Sequence, residues 1–135
     1  MVAIFLKSFL INFLFLLVFD GMWLGVVAKN FYKKWIGHLM ADSPNWLAGG
    51  LFYPLYVLGL TVFVVLPAVK NQNSLFSVFL LGALFGLVAY GTYDLTNQAT
   101  LKNWPLIVTL VDLTWGAMLS GSISLLTTVI LKSWE

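Results

Sequence analysis

The chain contains no cysteine, no arginine and a single histidine, and it carries few charges of either sign: seven lysines and five acids in 135 residues. Without cysteine there are no disulfides, thiolate metal sites or cysteine nucleophiles, and no clue to redox compartment. Without arginine the planar fork that grips phosphate bidentately is missing. The small lysine excess therefore reads as topology and headgroup contact, and nucleic acid is not an expected partner. The lone His38 sits in a basic loop with no His-x-x-x-His or similar spacing, so neither a metal nor a cofactor is expected. No Gly-x-Ser-x-Gly elbow marks a nucleophile.

What the chain has in quantity is apolar surface. Hydrophobic residues make up 61% and charged residues 9%, against about 45–50% and about 25% in ordinary soluble domains. Runs of 18 or more apolar residues recur, long enough for a helix to cross a hydrocarbon core of about 30 Å. In lipid every backbone polar group must be satisfied within its own segment, so these runs are expected as helices. The pattern predicts an all-α, polytopic membrane protein: four transmembrane helices packed as a bundle in one domain, residues 1–135. The spans are placed at about Ile4 to Ala28, Trp46 to Leu66, Ser74 to Leu95 and Pro105 to Leu131. The first run is longer than a signal-peptide core and contains Asp20, so it is expected as a retained helix. Pro67 is expected to close the second helix, and Pro54 to kink it and free a carbonyl near Gly50.

Against this background the acids stand out. "LVFDGMWLGV" embeds Asp20 and "TLVDLTWGAM" embeds Asp112, each followed three residues later by tryptophan, Trp23 and Trp115. A third, Asp94, is expected to end the third helix. Four crossings put the 29–45 and 96–104 loops on one side of the membrane, and all three aspartates lie toward that side. Lys29, Lys33, Lys34 and Lys102 fall on that side and Lys7, Lys70, Lys132 and the terminal amine on the other, so orientation is not readable. A charged aspartate at mid-membrane costs about 2.5–3.5 kcal/mol on insertion scales. Burial raises a carboxyl pKa, and a neighbouring carboxylate raises it further. These acids must therefore be protonated, paired or in a wet cavity. Helical spacing brings Tyr90 and Asn97 to the face of Asp94, and Thr109 and Trp115 to that of Asp112.

The functional expectation is a one-sided polar pocket lined by Asp20, Trp23, Tyr53, Tyr90, Tyr93, Asp94, Asn97, Asp112 and Trp115, with His38, Asn45 and Trp46 as lid residues. Its bland rival is a buried hydrogen-bond knot that ties helices together. Small residues four apart, Gly21 and Gly25, Gly82 and Gly86, Gly116 and Ser120, predict close helix packing within one subunit or in a homo-oligomer. In the first loop Phe31, Trp35 and Leu39 share a helical face beside Lys29 and Lys33, as in a short interfacial helix with its apolar side among membrane lipids. "PNWLAGGLF" and "KNWPLIVTL" open the second and fourth helices with the same Asn-Trp pair, a faint sign of a duplicated hairpin.

Two stretches, "DGMWLGVVAKNFYKKWIGHLMADSPNWLAGGLFYPLY" and "GALFGLVAYGTYDLTNQATLKNWPLIVTLVDLTWG", resemble domain-of-unknown-function family 2177. These are small four-helix bacterial membrane proteins, and the likeness covers nearly the whole chain. It implies a multi-pass protein of the bacterial inner membrane and supplies no reaction, substrate or cofactor. The leading expectation is that the pocket binds a small amphipathic ligand or lipid headgroup. One alternative is an enzyme or accessory subunit of membrane-lipid modification with an aspartate as acid or base. Another is a structural subunit or a homodimeric proton-coupled transporter.

Overall fold

The structure, a computed structural model, describes residues 1–134. These are helical, with no strand among the described residues. Helix α1 (Val2–Met22) runs on through a π-helical turn, Trp23–Val27, and leads into the short α2 (Lys29–Ile36). Helix α3 (Trp46–Leu60), a second π-helical turn (Thr61–Val65) and α4 (Leu66–Lys70) form one continuous span. Helices α5 (Leu75–Thr100) and α6 (Leu106–Ser133) complete a set of four helical spans long and apolar enough to cross a membrane.

The first span buries one narrow stripe, Ser8, Asn12, Leu16 and Asp20, each one turn from the next. Its other sides face outward and are almost wholly apolar, as a helix in lipid must be. Leu16 meets Tyr56, Val57, Leu60, Leu119 and Ile123 in the core.

The most intimate contact is between α5 and α6. A Cβ at Gly86 would lie 1.9 Å from the Gly116 carbonyl oxygen, and one at Gly82 would lie 2.5 Å from Ser124 Oγ. A Cβ at Gly116 would strike the Tyr90 ring at 2.4 Å. These glycines let two backbones touch where no hydrophobic force separates protein from lipid. The small-residue faces of α5 and α6 are thus used within the subunit, whereas Gly21, Gly25, Gly49 and Gly50 have open space at the Cβ position.

Two expected boundaries move. The third helix does not end at Leu95 but at Thr100. Thr92, Thr96 and Thr100 each donate a hydroxyl to a carbonyl one turn back, to Val88, Thr92 and Thr96, and Leu101 N donates to Asn97 O at 2.9 Å. Asp94 is consequently inside the helix and fully buried. The second span does not stop at Pro67 but continues to Lys70. The π turn brings Leu66 N to Thr61 O, and Pro67 then falls among the first residues of α4, where its missing N–H is needed least. Helix α3 runs unbroken through Pro54, and the irregular turn lies at Thr61 instead.

The paired Asn-Trp sequences behave differently. Asn45 caps α3, accepting from Ala48 N at 3.1 Å. Asn103 adopts φ 58° in a turn, and α6 opens at Pro105 without a side-chain cap.

Candidate functional site

Asp20, Asp94 and Asp112 lie six or seven residues inside their spans, counted from Val27, Thr100 and Leu106, a depth of roughly 10 Å. Connectivity puts those three ends on one side, and the side chains meet inside the bundle. Asp20 accepts from Tyr53 Oη and, at 3.4 Å, from Trp115 Nε1. Asp112 accepts from Tyr32 Oη, which in turn accepts from Trp23 Nε1 at 3.1 Å. The two indoles stack nearly parallel, centroids 4.3 Å apart and planes 7° off. Each thus directs its N–H toward a different branch of the same cluster.

The Asp94 carboxyl lies beside that of Asp112. Both Asp94 oxygens are buried and receive no N–H or hydroxyl donor among the described residues; what stands within hydrogen-bond reach is the Asp112 carboxyl. Asp112 also stands near Asp20 and takes the Tyr32 hydroxyl. A buried acid normally finds donors or a cation. The dyad therefore has capacity to spare: it can share a proton, accept hydrogen bonds or hold a cationic group.

Tyr90 lies across Gly116, one turn below Asp112, and meets Tyr56 edge to face at 6.3 Å. Below it Tyr56 Oη and Ser120 Oγ are hydrogen-bonded. Tyr93 is 55% exposed, packs edge-on against Trp104 at 5.8 Å and pairs with Asn97, so these two stand at the rim. Thr109 does not serve Asp112. It donates to Gln98 Oε1 at 2.9 Å and accepts from Trp104 Nε1 at 3.1 Å, fastening the loop between α5 and α6.

The three residues expected at the mouth of the pocket lie away from the carboxylate contacts described above. His38, Asn45 and Trp46 are exposed, Asn45 serving as a helix cap. Helix α2 starts directly after the first span, and its Tyr32, one turn past the buried Ala28, reaches back over the cluster. Burial, and then the Asp112 hydrogen bond, hold the Tyr32 phenol well above the ordinary tyrosine range. It therefore remains a neutral donor where an exposed tyrosine would ionise.

A second polar cluster lies near mid-span. Asn12 donates to Thr61 Oγ1 at 2.9 Å and accepts from Thr127 Oγ1 at 2.6 Å, joining three spans. Sequence reading missed it, although Ser8, Asn12 and Asp20 stand at multiples of four. It missed Tyr32 because the apolar stripe of the same helix suggested a lipid anchor alone. A hollow of about 600 Å³ beside Ile4, Leu66 and Lys70 lies at the other end of the bundle from the carboxylates.

A family model described as "Predicted membrane protein (DUF2177)" matches residues 5–129. No curated protein and no solved structure matches the chain.

Proposed function

We infer, for a chain that belongs to the DUF2177 family of predicted membrane proteins, that its buried aspartates form a binding site for the cationic or hydrogen-donating head of a small amphipathic molecule or lipid. One observation carries this reading: Asp94 is fully buried, with no N–H or hydroxyl donor on either carboxyl oxygen among the described residues and only a second carboxyl, that of Asp112, within reach. Interhelical glue needs satisfied groups, and one or two would suffice. A dyad with unused acceptors suits an ammonium or another strong donor. Tyr32 supplies the cover, and Trp23 and Trp115 supply faces on which a cation rests favourably. An all-helical bundle also fits the bacterial inner membrane, since outer-membrane proteins are typically β-barrels.

The test is carbodiimide labelling of the purified protein in lipid nanodiscs, read by peptide mass spectrometry. A membrane-soluble carbodiimide should modify Asp94, and primary amines should protect it. Asp112→Asn should keep the fold and lose the protection. A second reading, a purely structural knot, is favoured by the closure of Asp112 and Asp20 by tyrosine hydroxyls. Labelling indifferent to every amine, together with unfolding of both Asp94→Asn and Asp112→Asn, would establish that reading instead.

A further inference from the structure

Beside the carboxylate cluster, on the outer surface of the bundle, lies a shallow groove of about 330 Å³. Its walls are Trp23, Leu110, Val111, Thr114, Trp115 and Met118, and they are almost entirely apolar. The one hydroxyl among them, on Thr114, is already donated to Leu110 O at 2.8 Å. Nothing in this lining calls for a polar guest.

The groove and the acid site share a wall. Trp23 and Trp115 line the groove, while their N–H groups point the other way, to Tyr32 and to Asp20. The indole pair thus stands between the groove and both Asp20 and the Tyr32 hydroxyl that donates to Asp112. The approach from water is different. It is roofed by α2, whose Lys29, Lys33 and Lys34 are exposed and carry the sign that repels a cation. The sideways route from the membrane passes no lysine among the groove residues.

Resting on the function proposed above, we propose that the occupant is a single-chain amine amphiphile entering laterally from the membrane. Its alkyl chain lies along Leu110, Val111, Thr114 and Met118, and its ammonium passes the Trp23–Trp115 pair to reach Asp20, Asp112 and Asp94. Charge complementarity selects the head, because the cluster brings together three acids, Asp20, Asp94 and Asp112. Size suits the tail: about 330 Å³ is near the lower end of the roughly 300–1,000 Å³ of ligand pockets and matches a single alkyl chain. The indole faces stabilise the ammonium in passage.

The experiment is native mass spectrometry of the full chain released from nanodiscs, titrated with dodecylamine, butylamine and dodecanol. Wild type should bind one dodecylamine, about tenfold or more tighter than butylamine because the chain is buried, and should bind dodecanol far more weakly. Met118→Trp, which fills the groove, should lower dodecylamine affinity to that of butylamine and leave butylamine unchanged. Leu110→Phe serves the same purpose should the first variant misfold. Asp94→Asn should lose both amines. Equal binding of both amines, unaffected by groove filling, would overturn the lateral tail site while leaving the carboxylate site standing. Dodecanol binding as tightly as dodecylamine would overturn it too, as would a two-chain phospholipid that occupies the site and resists displacement by dodecylamine. No binding of any amine would take down the carboxylate site itself.

Discussion

Replacing Gly86 by alanine adds one methyl group at the tightest point of the molecule. That carbon would stand 1.9 Å from the Gly116 carbonyl oxygen, 2.6 Å from its carbon and 2.7 Å from Ser120 Oγ. A carbon and a carbonyl oxygen sit comfortably at about 3.3–3.6 Å, so α5 and α6 must part by roughly 1.5 Å. Overpacking of this kind costs about 1–3 kcal/mol, and the upper end applies here because a helix carbonyl has no rotamer through which to yield. Alanine returns about 1 kcal/mol in helix propensity. The net loss is about 2 kcal/mol, close to a thirtyfold shift in the unfolding equilibrium. Gly21 is the matched control: a Cβ there meets nothing within 4 Å, so only the propensity gain remains and the sign reverses. Detergent-induced unfolding in mixed micelles, followed by far-ultraviolet circular dichroism, measures both. Gly86→Ala should denature earlier than wild type, and Gly21→Ala at the same point or later. A Gly86→Ala protein as stable as the Gly21→Ala protein would refute the close backbone contact that sets Asp94 beside Asp112.

Other perturbations have equally definite outcomes. Asn12→Leu removes the amide shared by Thr61 and Thr127; at about 0.6 to 1.7 kcal/mol per interhelical hydrogen bond, the same micelle assay should show a loss of about 1–3 kcal/mol, and no loss would remove the knot from the stability ledger. Tyr32→Phe deletes one hydroxyl that joins Asp112 and Trp23. The four spans should persist, while amide exchange in residues 29–36 accelerates several-fold; unchanged exchange would mean that Tyr32 does not hold α2 down. The raised Tyr32 phenol gives a pH dependence. The unfolded chain ionises first, so the stability this group contributes is complete below the ordinary tyrosine value of about 10 and declines as pH rises beyond it. A pH series of melting temperatures should show this alkaline fall in wild type and a smaller one in Tyr32→Phe; identical slopes would contradict it.

Much of the architecture could be read from the chain because lipid leaves few options. Apolar runs longer than 18 residues had to be helices, and counting four crossings was enough to bring Asp20, Asp94 and Asp112 to one side. A short helix in the first loop was visible in the spacing of Phe31 and Trp35, and Gly82, Gly86 and Gly116 announced close packing, although not that α5 and α6 would be the partners. What escaped reading depended on small shifts of register. A π turn exchanges an i to i+4 hydrogen bond for i to i+5, a choice made by packing and not by the residues Trp23–Val27 or Thr61–Val65 alone. The third helix outlasted its apolar run by about one turn, through the mostly polar residues 96–100, and its last turn is closed by Leu101 N donating to Asn97 O. Tyr32 lies one residue from Phe31 and hence on another face of the same helix, and only the path of the chain after Ala28 turns it inward.

The meeting of the three aspartates can be measured most directly by paired cysteines, since the natural chain has none to interfere. Asp94→Cys combined with Asp112→Cys, in native membranes, should cross-link efficiently within one chain through a short bifunctional thiol reagent. Asp20→Cys with Asp112→Cys should do the same, while Ser8→Cys with Asp112→Cys, three turns apart along the first span from the Asp20 position, should not. Failure of the first two pairs, or cross-linking from position 8 as readily as from position 20, would contradict a shared acidic cluster inside the bundle.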